Sequence, residues 1–189
     1  MTHKRKKEIV TPKDEWSTPG WLFDLLDQEF HFQIDAAATS ENTKCKNLFR
    51  VSETTPEGSL GHPWVWKTCD GQDSLYRRFW LNPPYSAAKI YAFMQKAYEE
   101  PQKGATVVCL VPVSGDRWWI DWALKAQEIR YIKGRVKFVG YDIDGNPVNG
   151  SPMFSSCVVI FWPKESEAKD DMPRIGKTIE QPKKGSVKE

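Results

Sequence analysis

The residues best suited to chemistry are Asn82, Pro83, Pro84 and Tyr85, in the stretch FWLNPPYSAAKIYAFM over 79–94. The asparagine carbonyl oxygen accepts hydrogen bonds from an amino group. Pro83 has no N–H, so only its carbonyl can act, as a second acceptor, and the two prolines stiffen the turn. Tyr85 presents a flat ring beside them. Two acceptors and a ring make a slot for a planar group bearing an exocyclic NH2. Adenine suits it: N6 has two hydrogens to donate and the ring can stack on the tyrosine. The competing reading is a Pro-Pro turn that leads into a helix, with Asn82 satisfied by nearby backbone. A proline-rich docking ligand is disfavoured, because core-like apolar sequence flanks the segment.

Such a slot must be held by rigid elements, and the flanking pattern supplies them. Phe79-Trp80-Leu81 reads as a buried strand and Ser86 can cap the helix that follows, with Ile90, Phe93, Ala97 and Tyr98 on one face. Upstream, Thr18 can cap a helix with Pro19 in its first turn, and Trp21, Leu22, Leu25, Leu26 and Phe30 share a face. HFQIDAAA reads as a short strand entering a loop of small residues, and LFRV as another strand. ATVVCLVPV is a near-continuous apolar run of the kind parallel sheets use. DRWWIDWALKAQ is helical, with Trp119, Trp122, Ala123 and Ala126 on one side. IRYIKGRVKFVG and SSCVVIFW close the domain as strands, separated only by the turn-rich DIDGNPVNGSP, so they pair antiparallel. The alternation predicts an α/β domain with a mostly parallel sheet and an antiparallel last strand. Ligands bind such sheets beyond the strands' carboxyl ends, where Asp35 and Asn82 fall.

Residues 1–13 read as a flexible basic arm, 14–163 as the folded domain, and 164–189 as a disordered charged tail. With 189 residues, 40% hydrophobic and 28% charged, the chain can bury a core and stay soluble, and a net charge of +2 does not announce a nucleic-acid binder. Any nucleic-acid contact must come from local charge, for which Lys4–Lys7, Arg77, Arg78, and Arg117 beside Trp118 stand out. No run is long enough to span a membrane. The four cysteines form no CxxC pair and the three histidines do not cluster with them, so no zinc site is expected, and reduced buried thiols in a cytoplasmic protein are.

Asn82–Tyr85 resembles the [DNS]-P-P-[YFW] motif of amino-methyltransferases, which use S-adenosylmethionine. The spaced set Asp14-Glu15-Trp16-Ser17-Thr18-Pro19, LFDLLDQEF, Asp35-Ala36-Ala37-Ala38, Asn42 and Lys44-Cys45, with LVPVSGDRWW, IKGRVKF and SSCVVIFW downstream, is similar to the phage-encoded DNA N-6-adenine methyltransferases of the Dam type. The resemblance covers residues 14–162. It implies a Rossmann-like S-adenosylmethionine-dependent methyltransferase fold, double-stranded DNA as partner, and the cytoplasm of a bacterial host as the place of action. It implies that Asn82, Pro83, Pro84 and Tyr85 hold a flipped adenine, and that Trp16, Thr18, Pro19, Asp35, Ala36 and Ala37 line the cofactor pocket, with Glu53 offered for the ribose. Two other readings stay open at this point. The slot could serve RNA or protein glutamine, or the chain could bind nucleic acid on this fold without turnover.

Overall fold

The computed structural model describes residues 16–49, 58–66, 76–163 and 174–182. Its principal elements are helix α1 (Gly20–Phe30), strands β1 (Ile34–Asp35), β2 (Asn47–Leu48) and β3 (Arg78–Leu81), helix α2 (Ala87–Glu99), strand β4 (Thr106–Pro112) and helix α3 (Arg117–Asp121). They are followed by strands β5 (Glu128–Tyr131), β6 (Phe138–Tyr141), β7 (Pro147–Gly150), β8 (Ser156–Phe161) and β9 (Arg174–Ile175). Seven strands form one sheet in the order β2-β1-β3-β4-β8-β5-β9, and β6 and β7 form a separate hairpin. Strands β2, β1, β3 and β4 run parallel. Strand β8 lies between β4 and β5, antiparallel to both. The chain is thus mixed α/β with a mostly parallel sheet.

Period-two alternation divides the core between the two faces of this sheet. Phe79, Leu81, Val107, Cys109, Val111, Val159 and Phe161 point to one face, where Ile90, Phe93, Met94 and Ala97 of α2 and Trp118 and Trp119 of α3 cover them. Trp80, Val108, Leu110, Val158 and Ile160 point to the other, against Leu22, Phe23, Leu26 and Phe30 of α1. The buried stripe of α1 is therefore rotated from the one the sequence suggests: Leu25 is 46% exposed, and Phe23 is the buried residue instead. Pro19, not Thr18, is the N-cap of α1, and Ser86 sits at the N-cap of α2 without a side-chain cap bond.

Three expectations are corrected. The 129–140 run is not one strand, because the chain turns at Gly134 (φ 82°) and its second half pairs with Pro147–Gly150. Gly145 (φ 75°) lies in the turn between them, where Asp142 Oδ1 accepts the N–H groups of Asp144 and Asn146. Helix α3 is a short element that ends at Trp122, whose φ of −130° is not helical. The segment after Pro163 is not wholly a tail. Strand β9 pairs with β5, Ile179 bridges Ile132, and the Ile179 side chain is buried at 7% exposure.

Candidate active site

Strands β1 and β3 place the site, since Asp35 lies in register with Trp80 and both strands end at the same edge. Asp35 is 3% exposed. Its Oδ2 accepts the Lys44 N–H at 3.0 Å and its Oδ1 the Ala37 N–H at 3.4 Å. No helix follows it, so it is not a helix cap; it pins the loop between β1 and β2. Burial pushes its pKa up to about 6, although both backbone N–H groups and the Lys44 charge pull it down. Burial likewise pulls the Lys44 pKa down, against the opposing pull of Asp24 and Asp35.

Asn82 follows β3, and its amide is held at both ends. Its Nδ2 donates to Trp16 O at 3.3 Å, and its Oδ1 accepts the Tyr85 hydroxyl at 2.9 Å. The same hydroxyl lies 3.2 Å from Leu110 O on β4. Burial holds the Tyr85 pKa well above the ordinary phenol value, so the hydroxyl stays a neutral donor. The ring packs edge-on against Phe138 and Phe154, at centroid distances of 6.2 and 5.5 Å.

Two hollows meet at this amide. A cavity of about 520 Å³ is lined by Trp16, Asn82, Pro83, Tyr85, Ser86, Phe138 and residues 151–154. A narrow polar cleft of about 10 Å³ is lined by Trp16, Ser17, Thr18, Asp35, Ala37, Ala38, Asn42, Lys44, Trp80 and Asn82. Trp16 and Asn82 belong to both walls. Two of the residues that line the cleft, Thr18 and Trp80, carry buried polar atoms, Oγ1 and Nε1, with no hydrogen-bond partner. Buried polar atoms are nearly always paired, so such atoms in a cleft-lining residue are candidates to meet a polar ligand.

The structure sorts the residues singled out in the sequence. Asn82, Pro83 and Tyr85 come together at the cavity, and Trp16, Thr18, Asp35 and Ala37 at the cleft. Pro19, Ala36 and Pro84 line neither; the Ala36 N–H is taken by Trp80 O at 2.8 Å. Glu53 and the Lys4–Lys7 arm lie outside the described residues. Arg77 and Arg78 stand at the amino end of β3, the opposite edge from Asn82, with the Arg78 Nε donating to His31 O at 2.9 Å. At about 3.3 Å per residue the strand itself separates them from the cavity. Trp118 is 5% exposed and packs edge-on against Trp119, so it presents no ring for DNA. Arg117 is exposed at the carboxyl edge, paired with Asp121 at 3.0 Å and set over the Tyr91 ring.

Sequence reasoning placed Asn42 and Lys44 in the resembling set but gave them no pocket role, and it missed Trp80 in the cleft and Phe138 and residues 151–154 in the cavity. Trp80 was visible as a core strand residue, but the orphaned indole N–H depends on its neighbours. Burial pushes the Cys45 and Cys157 thiols up to about 12 and Cys109 well above its ordinary value. They are poor nucleophiles at neutral pH. Among the described residues no three His, Cys, Asp or Glu side chains converge as a metal group, and no helix is long and apolar enough to cross a membrane.

Both hollows lie beyond the carboxyl ends of the parallel strands, where open α/β sheets bind their ligands. Comparison with known proteins gives the family. Residues 5–180 match the family described as DNA N-6-adenine-methyltransferase (Dam). The chain is 30% identical over 169 residues to a DNA N-6-adenine-methyltransferase of Haemophilus phage HP1 (strain HP1c1), spanning 87% of this chain and 86% of that protein. It is also 30% identical over 151 residues to a DNA N-6-adenine-methyltransferase of Escherichia phage T1, spanning 77% of this chain and 56% of that protein. No solved structure gives a significant match. The chain belongs to the DNA N-6-adenine-methyltransferase (Dam) family, and its activity is methylation of adenine N6 in DNA. The readings on RNA, on glutamine and on binding without turnover are set aside.

Proposed function

We propose that this protein transfers the methyl group of S-adenosylmethionine to N6 of a specific adenine flipped out of double-stranded DNA, on a Rossmann-like fold, with Asn82 at the point of transfer. The observation that carries the reading is that Asn82 and Trp16 wall both hollows. A donor in the cleft and an acceptor in the cavity would meet only there.

The cavity volume is in the range of small-molecule sites, and its walls are mostly apolar, which suits a nucleobase. Asn82 Oδ1 has a second lone pair beside the one Tyr85 occupies, and it serves as acceptor for an N6 hydrogen. The Pro83 carbonyl serves as the other acceptor. The N6 lone pair is delocalised into the adenine ring; two acceptors on its hydrogens localise it and stabilise the positive charge that grows on nitrogen during attack. The proton leaves after transfer, so no strong base is required.

Bound S-adenosylmethionine supplies an activated methyl on a sulfonium sulfur. The cleft fits its amino-acid end by chemistry: Asp35 is a buried carboxylate for an ammonium, and Thr18 Oγ1 and Trp80 Nε1 are donors awaiting an acceptor. Ser17 Oγ donates to Asn42 O at 3.4 Å, a long contact between two residues that line the cleft. The likeness to two phage proteins favours a bacterial cell carrying a phage or prophage, and its cytoplasm, as the place of action.

Asn82→Ala tests the reading. Single-turnover methylation of duplex DNA at saturating cofactor should slow by at least ~10²-fold, the effect of losing one charge-stabilising partner. Affinity for S-adenosylhomocysteine should change little. Transfer near the wild-type rate would show that the slot does not hold the reacting amine.

A further inference from the structure

We propose that the Tyr85 hydroxyl is a positioning group for methyl transfer, holding the Asn82 amide so that its oxygen, not its nitrogen, faces the target amino group. The inference rests on the reading of Asn82 as the acceptor for N6. An asparagine side chain is nearly symmetric in shape but opposite in hydrogen bonding at its two ends. Turned the wrong way, it would set two donors, its own NH2 and the adenine amine, against each other, and the slot would repel its substrate group.

Two contacts prevent that turn. Trp16 O accepts from Nδ2 at 3.3 Å, and the Tyr85 hydroxyl donates to Oδ1 at 2.9 Å. A flipped amide would bring its oxygen against the Trp16 carbonyl, and it would keep a bond at Tyr85 only by moving the phenol's proton to the longer contact with Leu110 O. The hydroxyl has only one hydrogen and two acceptors in reach, Asn82 Oδ1 and Leu110 O at 3.2 Å. It donates to Oδ1 at the shorter distance and leaves the second lone pair of Oδ1 for N6.

The ring has a separate role. It packs edge-on against Phe138 and Phe154 and lines the cavity whether or not it carries a hydroxyl. Tyr85→Phe keeps that packing and removes only the hydrogen bond, which separates positioning from base contact.

The experiment is single-turnover and steady-state methylation of duplex DNA by the full chain, in wild type and in Asn82→Asp, each with and without Tyr85→Phe. The expected result is a fall of about tenfold in kcat for Tyr85→Phe, with KM for DNA and the affinity for S-adenosylhomocysteine unchanged. A carboxylate presents an acceptor whichever way it turns. Tyr85→Phe should therefore cost less than about threefold in the Asn82→Asp background. A kcat within twofold of wild type for Tyr85→Phe alone overturns the proposal. So does an equal loss in both backgrounds, which would assign the hydroxyl to packing or to some other step. If Asn82→Asp turns over too slowly to compare, the single variant decides. Wild-type transfer by Asn82→Ala would instead sink the underlying reading of the site, an outcome that no result with Tyr85→Phe can mimic.

Discussion

The Asp35 carboxylate reaches nine residues along the chain to accept the Lys44 backbone N–H at 3.0 Å, closing the loop between β1 and β2 over the cleft. The acid is buried, yet no cationic side-chain atom lies within hydrogen-bonding distance of it among its described contacts. It is held by two backbone donors, which offset only part of the cost of burying its charge, and its pKa rises from 3.8 to about 6.

A pH dependence follows, with a definite sign. The folded state binds a proton at Asp35 more readily than the unfolded chain. The associated stability is fully present below about 3.8 and is lost as pH rises through about 6. The loss is up to about 3 kcal/mol, from roughly two pK units at 1.36 kcal/mol each. A ligand ammonium favours the ionised form. The affinity for S-adenosylhomocysteine should therefore climb between pH 5 and pH 6 and level off above pH 7. Calorimetry across that range should show proton release on binding near pH 6. Asp35→Asn should bind weakly with a flat profile, and a flat wild-type profile would remove Asp35 from contact with the ligand.

Charge at the two edges of the sheet should matter unequally. Arg117 stands at the carboxyl edge with the cavity, whereas Arg78 stands at the far end of β3. Arg117→Ala should weaken DNA binding and lower the salt slope by about one phosphate contact, while Arg78→Ala should leave both unchanged. Fluorescence anisotropy against salt, with one duplex, distinguishes them. Equal slopes for the two variants would show that DNA is not held at the carboxyl edge through Arg117.

How much the sequence revealed depended on how local each signal was. Asn82–Tyr85 and Asp35 could be placed because a strand end is a local event: an apolar run stops, and polar residues and prolines follow. Strand β4 was legible because six of its seven residues are buried, Thr106 to Val111. Arg77 and Arg78 are near Asn82 in sequence yet stand at the opposite edge, because a strand carries its two ends apart. Phe138 was hidden because its run continues β5 in apolar pattern, and only the positive φ at Gly134 sends it to the cavity wall. Ile179 was hidden for the opposite reason. A lone apolar residue among Lys, Thr, Glu and Gln has no periodicity to read, and it is buried only because the edge of β5 is there to receive it.

The C-terminal segment should therefore contribute to stability. The Gly176 and Ile179 N–H groups donate to Ile129 and Tyr131 carbonyls at 2.9 Å each, and the family match runs to residue 180. Ile179→Ala removes a buried side chain at the sheet edge, worth about 2 kcal/mol, which corresponds to a Tm lower by roughly 4–8 °C in a domain of this size. Truncation after Pro163 should cost at least as much. Differential scanning calorimetry checks both, and unchanged melting in the truncated protein would show that β9 adds nothing to the fold.

Thr18 offers a test in which stability and binding move in opposite directions. Its Oγ1 is buried in the cleft wall without a partner, and the residue is 2% exposed. A buried hydroxyl left unsatisfied costs about 1–3 kcal/mol of desolvation, and replacing it by a group of the same shape relieves that cost. Thr18→Val keeps the β-branched shape and removes the hydroxyl. The ligand-free protein should melt at the wild-type temperature or a few degrees above it. The bound protein gains a hydrogen bond at this atom that valine cannot make, so the affinity for S-adenosylhomocysteine should fall about tenfold, near 1.4 kcal/mol. Methyl transfer at saturating cofactor should change little, because Thr18 lines the cleft and not the cavity. Thermal melts with and without S-adenosylhomocysteine read both effects in one experiment, since a ligand that binds the folded form raises Tm with its affinity. A variant that is more stable without ligand and less stabilised by it would mark Thr18 as a donor kept for the cofactor. Wild-type affinity with raised stability would make the hydroxyl a plain defect of packing and remove Thr18 from the binding site.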